Sequence, residues 1–490
     1  MTAPNQVCRG LRLGIKSKKQ VKLAQILLRS RANLSESNHF AEGFVNSTRT
    51  TQPTMIRTLK SGWRFALPAI CLLSTSTAQA ADTSTIDTGD TAWMLVSTAL
   101  VLFMMIPGLA LFYAGLVKAR NVLSIFMQCF ALTCVMSLVW LICGYSLSFS
   151  DGGSFIGGFG EFFMSGLTID ATRSDCPQIP KVLHFTYQMM FFLITPGLFI
   201  GAFAERMKFS AIMLFSIGWG LLVYAPCCYG VWHKAGAFLG LTGVVDLAGG
   251  IVVHITAGVA ALVACIMVGP RKGFPHTAFM PHNLVFTVTG AAMLWVGWFG
   301  FNGGSQLHAN GAAAMTITVT HLSACAASVV WMGIEWFKNG KPSVLGIATG
   351  SIAGLAAVTP ASGVVGPVGA VAIGSTSAVL CWLACAKLKH RFKYDDSLDV
   401  FGVHGVGGFV GTILLAVFGS QSFAGGLGSF SIGEQLVTQS LASLYTIILS
   451  GIVSYVILLI IDKTIGLRVN ESQEREGLDL AEHGENAYNS

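Results

Sequence analysis

From residue 81 onward the chain alternates long apolar runs with short polar breaks. Eleven of these runs are of spanning length, roughly 91–116, 122–148, 182–203, 209–231, 246–269, 283–302, 311–337, 343–361, 365–388, 401–419 and 433–462. A helix rising 1.5 Å per residue needs about 20 apolar residues to cross the hydrocarbon layer. The pattern therefore predicts an all-α polytopic membrane protein with eleven transmembrane helices.

Composition agrees. The chain is 53% hydrophobic and 11% charged, with mean hydropathy +0.65, whereas a soluble domain carries about 25% charged residues. The 56 glycines suit helices packed closely in lipid, where small residues let backbones approach. Twelve cysteines form no CxxC pair. Cys129, Cys265 and Cys381 fall in apolar runs, where a free cysteine acts as a small buried side chain.

The formal net charge of +7 comes from the front of the chain. Residues 1–80 hold twelve Lys/Arg against Glu36 and Glu42, and residues 81–490 carry more acids than bases. The basic balance is thus no sign of a nucleic-acid partner. Residues 55–80 read as a signal peptide. Arg57, Lys60 and Arg64 precede a short apolar stretch, and Ala78-Gln79-Ala80 supplies a small-x-small cleavage site. That apolar stretch is too short for a span, so the mature chain is expected to begin at Ala81. Residues 1–54 are polar and basic, either a disordered extension or the product of a wrongly assigned upstream start.

A cleaved leader puts the mature N-terminus in the periplasm, and eleven spans then put the C-terminus in the cytoplasm. Charge gives an independent test. Loops expected inside carry Lys118, Arg120, Arg206, Lys208, Arg271, Lys272, Lys338, Lys341, Lys387, Lys389, Arg391 and Lys393, against Arg173, Lys181 and Lys234 outside. This is the asymmetry of the positive-inside rule, and it agrees with that topology.

Ionisable residues inside spans are costly and mark pathways. Span 5 reads DLAGGIVVHITAG, with Asp246 at its outer end and His254 about 12 Å deeper. Span 10 runs the other way as DVFGVHGVGG, with Asp399 at the inner end and His404 further in. Two antiparallel helices with an Asp at the start and a His near the middle predict an inverted repeat, spans 1–5 against 6–10, with a site at the midplane. Span 11 lies outside the repeat. His321 in span 7 is expected to make only an interhelical hydrogen bond. Trp232, the segment WFGFNGGS (298–305) and Phe191 gather at the outer face. Aromatic faces attract a cation and a serine oxygen accepts its hydrogen bond.

The stretches IPGLALFYAGLVKARNVLS, GAFAERMKFSA, DLAGGIVVHITAG, PHNLVFTVTGAAMLWVGWFGFNGGS, DDSLDVFGVHGVGG and GLRVNESQEREGLDLAEHGENAYN resemble the ammonium transporter (Amt/Mep/Rh) family, and the last is most similar to bacterial AmtB-type channels. The resemblance covers about residues 90–490. It implies an outer ammonium site of Trp232, Phe191 and Ser305, a gate of Phe191 and Phe301 with Tyr187 beside it, and a hydrogen-bonded pore pair, His254 and His404. Asp246 would organise the vestibule without binding the ion. Tyr187 departs from the Phe expected there, and His233-Lys234 puts a basic pair at the rim. The resemblance further implies a homotrimer and a cytoplasmic regulatory tail (463–490) that supports a PII-type (GlnK-like) signalling protein.

The expected function is ammonium transport with no cofactor and no metal. NH₄⁺ is captured outside and deprotonated, and ammonia crosses a phenyl- and imidazole-lined pore, with net charge transfer favoured. Methylammonium is a candidate second substrate. Alternatives are a passive ammonia gas channel and a sensor acting through the PII-type partner. An intramembrane enzyme is disfavoured, since His254, His404 and Asp246 lack a third ligand at zinc spacing.

Overall fold

The computed structural model describes residues 85–233 and 243–488. The extension, the leader and Lys234 lie outside the described residues. Helices occupy the predicted runs: α1 Thr88–Leu116, α2 Ala119–Phe149, α3 Lys181–Phe203, α4 Phe209–Trp232, α5 Gly250–Val268, α6 Leu284–Gly303, α7 Gly311–Asn339, α8 Val344–Val358, α9 Pro367–Phe392, α10 Phe401–Phe418 and α11 Ile432–Thr464. Among the described residues ten are long and apolar enough to cross a membrane. α8, of 15 residues, is shorter. Its predicted run, 343–361, was read longer because it ends in apolar and small residues that form a turn instead.

Local chemistry sets the ends. Asp87, Asn283, Asn310, Ser343 and Ser431 each accept a hydrogen bond from an N–H in the first turn of α1, α6, α7, α8 and α11, filling donors that a helix start leaves open. The helices differ in depth. The most apolar window of α3 is 89% buried and that of α5 is 78%, against 28% for α11. α3 and α5 are therefore central. α11 turns Leu444, Ile448, Ile452 and Ile460 outward, an apolar face suited to lipid. α5 packs on α3, α10 and α11, while α7, α8 and α9 pack on one another. Cys129, Cys265 and Cys381 are buried, as read from the sequence. His321 instead bonds Cys325 of its own helix, at 3.5 Å, and stays exposed on the face of α7. Among the described residues the expected interhelical bond is not formed.

At the end of the bundle carrying Lys118, Arg206 and Arg271, buried charges tie the connections together. The Arg271 guanidinium grips Asp395 through Nε (2.9 Å) and Nη2 (2.8 Å) and reaches Glu205 at 3.2 Å. Glu205 also accepts from the Lys118 backbone N–H and from Asn121. Arg206 donates to the carbonyls of Ala202, Ala204, Gly269 and Asp395 and to Ser397. Four connections are thus held by charge-assisted bonds in a buried setting.

The tail docks here. Val469 N–H donates to Arg206 O (3.1 Å) and Arg468 pairs with Glu474 (2.7 Å) and with Val268 O (3.1 Å). Two short helices follow, α12 Glu471–Glu476 and α13 Leu478–His483. Asp479 accepts from Ser124 N–H near the start of α2 (2.7 Å), and Glu482 accepts from Phe209 N–H at the start of α4 (3.0 Å). Acids at helix N-termini are favourable both as caps and against the helix dipole. The tail is thus ordered against the bundle, and Arg468 and Arg475 spend their charge on Glu474 and Glu471 of the tail itself.

Candidate functional site

α4 ends on Trp232, whose indole N–H donates to the Asp246 backbone carbonyl at 2.8 Å. This fixes the ring over the mouth of a cavity of about 130 Å³ that Phe191 and Ser305 also line. Phe191, near the middle of α3, stands edge-on to Trp232 at 5.8 Å and 89°. Its other side lies 4.3 Å from Phe301 at 30°. The structure therefore brings together all three residues expected at the outer site, and two phenyl rings form its floor. Tyr187, one turn above Phe191, is fully buried. Its hydroxyl lies 2.9 Å from the carbonyls of both Gly300 and Phe301 and 3.2 Å from Ser305 Oγ. The tyrosine fastens α3 to the end of α6.

Asp246 does not face this cavity. Its carboxylate accepts from the N–H groups of Gly249, Gly250, Ile251 and Val252, at 2.6–3.2 Å, so it caps α5 with both oxygens. Gly249 takes φ +113° to make that approach, a conformation open to glycine. His254 follows eight residues after Asp246, in a π-helical turn. In α10 the partner of this arrangement is Asp396, not Asp399. Asp396 accepts from Phe401 N–H at 2.7 Å and lies eight residues before His404, again in a π-helical turn. Asp399 is instead paired with Lys389 at 2.5 Å. The expectation naming Asp399 failed because it took the nearest acid. Equal spacing, Asp246 to His254 and Asp396 to His404, was the signal in the sequence.

The two imidazoles lie 5.2 Å apart and within 14° of parallel. Neither nitrogen of His254 makes a hydrogen bond, so the bond between them that the resemblance implies is not formed in this structure. Glycine brings the helices this close. A Cβ on Gly258 would lie 2.2 Å from Gly405 Cα, and one on Gly408 would lie 2.7 Å from His254 Cβ. His254 also lies 5.6 Å from Trp298 and 6.2 Å from Phe301. From the basic end a cavity of about 480 Å³ rises past Phe274, Lys389 and Val403 to His404. Read through the bundle, the order is the Trp232 cavity, Phe191 and Phe301, His254, His404, and the cavity at the basic end.

A helical bundle with cavities approaching from both ends across rings and imidazoles defines a multi-span membrane transport protein. The Ammonium Transporter Family matches residues 92–488. An ammonium transporter of Aquifex aeolicus is 44% identical over 406 residues, covering 82% of this chain and 94% of that one. One from Bacillus subtilis is 43% identical over 404 residues, covering 82% and 98%. Among solved structures, Candida albicans Mep2 matches with TM-score 0.73 at 32% identity, covering 79% and 88%. A protein described as a sensor Amt protein matches with TM-score 0.74 at 28% identity, covering 81% and 98%. The chain belongs to the ammonium transporter family.

Proposed function

We propose that the chain moves ammonium by capturing NH₄⁺ at Trp232, Phe191 and Ser305, removing a proton there, and passing ammonia by the Phe191–Phe301 gate and the His254–His404 pair. The juxtaposition of those rings with the two imidazoles that follow them carries the reading. K⁺ and NH₄⁺ share charge and nearly share size, so a cavity that simply fits one admits the other. Only NH₄⁺ can leave its charge behind, and a passage with no carboxylate ring or carbonyl cage favours a neutral species. Imidazole both donates and accepts, so the pair offers the shed proton a route and makes transport electrogenic. Asp246 holds the start of α5, and through it the vestibule, without touching the ion.

In this reading all eleven helices cross, α8 included, and α1–α5 and α6–α10 form inverted repeats. The matched Asp396–His404 and Asp246–His254 spacings support the repeat. The Trp232 end faces the periplasm and the tail the cytoplasm, in the inner membrane. The assembly is a trimer. His321, exposed midway along α7, supports this, because an imidazole facing lipid is costly and a neighbouring subunit would cover it.

Current recording on reconstituted protein with ammonium pulses is the test. Trp232→Leu should raise the ammonium concentration needed for half-maximal current, since a cation–π contact of about 0.5–2 kcal/mol is lost. An unchanged concentration dependence would remove the aromatic site from the mechanism. Flux without current would favour the passive ammonia channel, and absence of flux the sensor reading. The tail is proposed as the element through which a PII-type protein acts. Deletion after Asn470 removes the Asp479 and Glu482 caps. It should lower transport and abolish PII-dependent inhibition in a flux assay with purified PII protein, and equal inhibition of both chains would clear the tail of that role.

A further inference from the structure

An ammonium ion presents four N–H donors, and a dehydrated site must meet each of them. On the walls of the outer cavity the rings of Trp232 and Phe191 meet two. The polar side chains lining the same cavity are Ser305, Asp175, His184 and Gln188. Asp175 is paired with the Arg173 guanidinium, which makes one bond to each carboxylate oxygen, at 2.8 and 2.9 Å, and balances its charge. His184 Nδ1 lies 3.2 Å from the Tyr145 hydroxyl, and that hydroxyl accepts from Arg173 Nη1 at 3.3 Å. With the Tyr145 proton on the side of Nδ1, a neutral His184 carries its own proton on Nε2, and in that tautomer it offers a cation nothing. Ser305 Oγ donates to Phe301 O at 2.8 Å, and the Tyr187 proton is held by the Gly300 and Phe301 carbonyls, so the serine lone pairs are left for a cation.

Gln188 is different. It sits three residues before Phe191 on α3, hence on the same face. Its side-chain carbonyl oxygen is buried and makes no hydrogen bond. An unmet buried acceptor costs stability, and such groups in native structures call for a ligand or a function. We propose that Gln188 is a further ammonium ligand of the outer site, its carbonyl oxygen accepting the N–H that Ser305 and the two rings leave over. This rests on the capture site proposed above.

The consequence is selectivity. Methylammonium has three N–H donors and a methyl group, so the fourth acceptor matters most for ammonium itself. Currents from proteoliposomes carrying Gln188→Met, which keeps length and packing, should be titrated with both ions. Ammonium should need a roughly ten-fold higher concentration for half-maximal current, about the effect of losing a hydrogen bond to a charged group. Methylammonium should shift less, so the preference for ammonium falls. Gln188→Glu, which keeps an acceptor oxygen, should hold the preference. Equal weakening of both ions in Gln188→Met would mean that Gln188 merely packs the wall, and parent-like titrations would likewise overturn the proposal. If Trp232→Leu weakens capture while Gln188→Met does not, only Gln188 is withdrawn. If neither does, the capture site itself is wrong.

Discussion

Proteoliposomes carrying His254→Asp should either pass a K⁺ current that the parent chain refuses or lose the ammonium current altogether. The imidazole it replaces is buried between Trp298, Phe301 and His404 and makes no hydrogen bond. An aspartate there inherits no protein partner. An unpaired carboxylate in such a setting is strongly unfavourable and is relieved only by protonation, water or a cation. Water and cations are what the passage is argued to exclude, so the effect on selectivity should be large. The shorter side chain also opens the gap to His404. A variant with parent-like ammonium current and intact K⁺ exclusion would reduce the histidine pair to a structural role.

Arg271→Met should be the most damaging substitution for stability, at about 3–5 kcal/mol, because it leaves buried carboxylates without their counter-charge. Burial by itself pushes the Asp395 carboxyl up, and the Arg271 fork more than reverses this, holding the group below its ordinary value. The sign follows. In the parent chain this contribution is present above the ordinary carboxylate range and is lost as pH falls through the lowered value. In Arg271→Met the fork is gone, and only Arg206 and the residue-271 backbone N–H remain to oppose burial, so the Asp395 carboxyl rises and acid should narrow the deficit. Denaturation of purified protein in detergent at neutral pH and near pH 5 would measure both effects. A deficit that is small, or that widens in acid, would show the cluster to be dispensable.

The helices were legible because membrane crossing demands long apolar runs, and such runs declare themselves. Trp232, Phe191, Phe301 and Ser305 were found by their motifs, and the structure assembles them. What sequence hid was which polar group bonds which. Asp399 stood nearer to His404 than Asp396 does, yet a lysine one turn back in α9 claims it. Arg468 is used by Glu474, six residues on in the tail, a pairing that the run of mixed charges there does not single out. The histidine hydrogen bond was assumed from the resemblance, but ring orientation is set by packing around Gly258 and Gly408, which lies far apart in sequence from what it touches. Gln188 carried no signal at all. Only its unmet oxygen singles it out.

The seam between α5 and α10 is backbone against backbone, with Gly258 on Gly405 and Gly408 on His254. Side chains can change rotamer and lipid-facing helices can tilt, but two main chains in contact have almost nothing to yield. The distance between the imidazoles is therefore a rigid gauge, insulated from bilayer thickness and lateral tension. Changes in lipid composition should therefore leave the ion preference of the passage untouched.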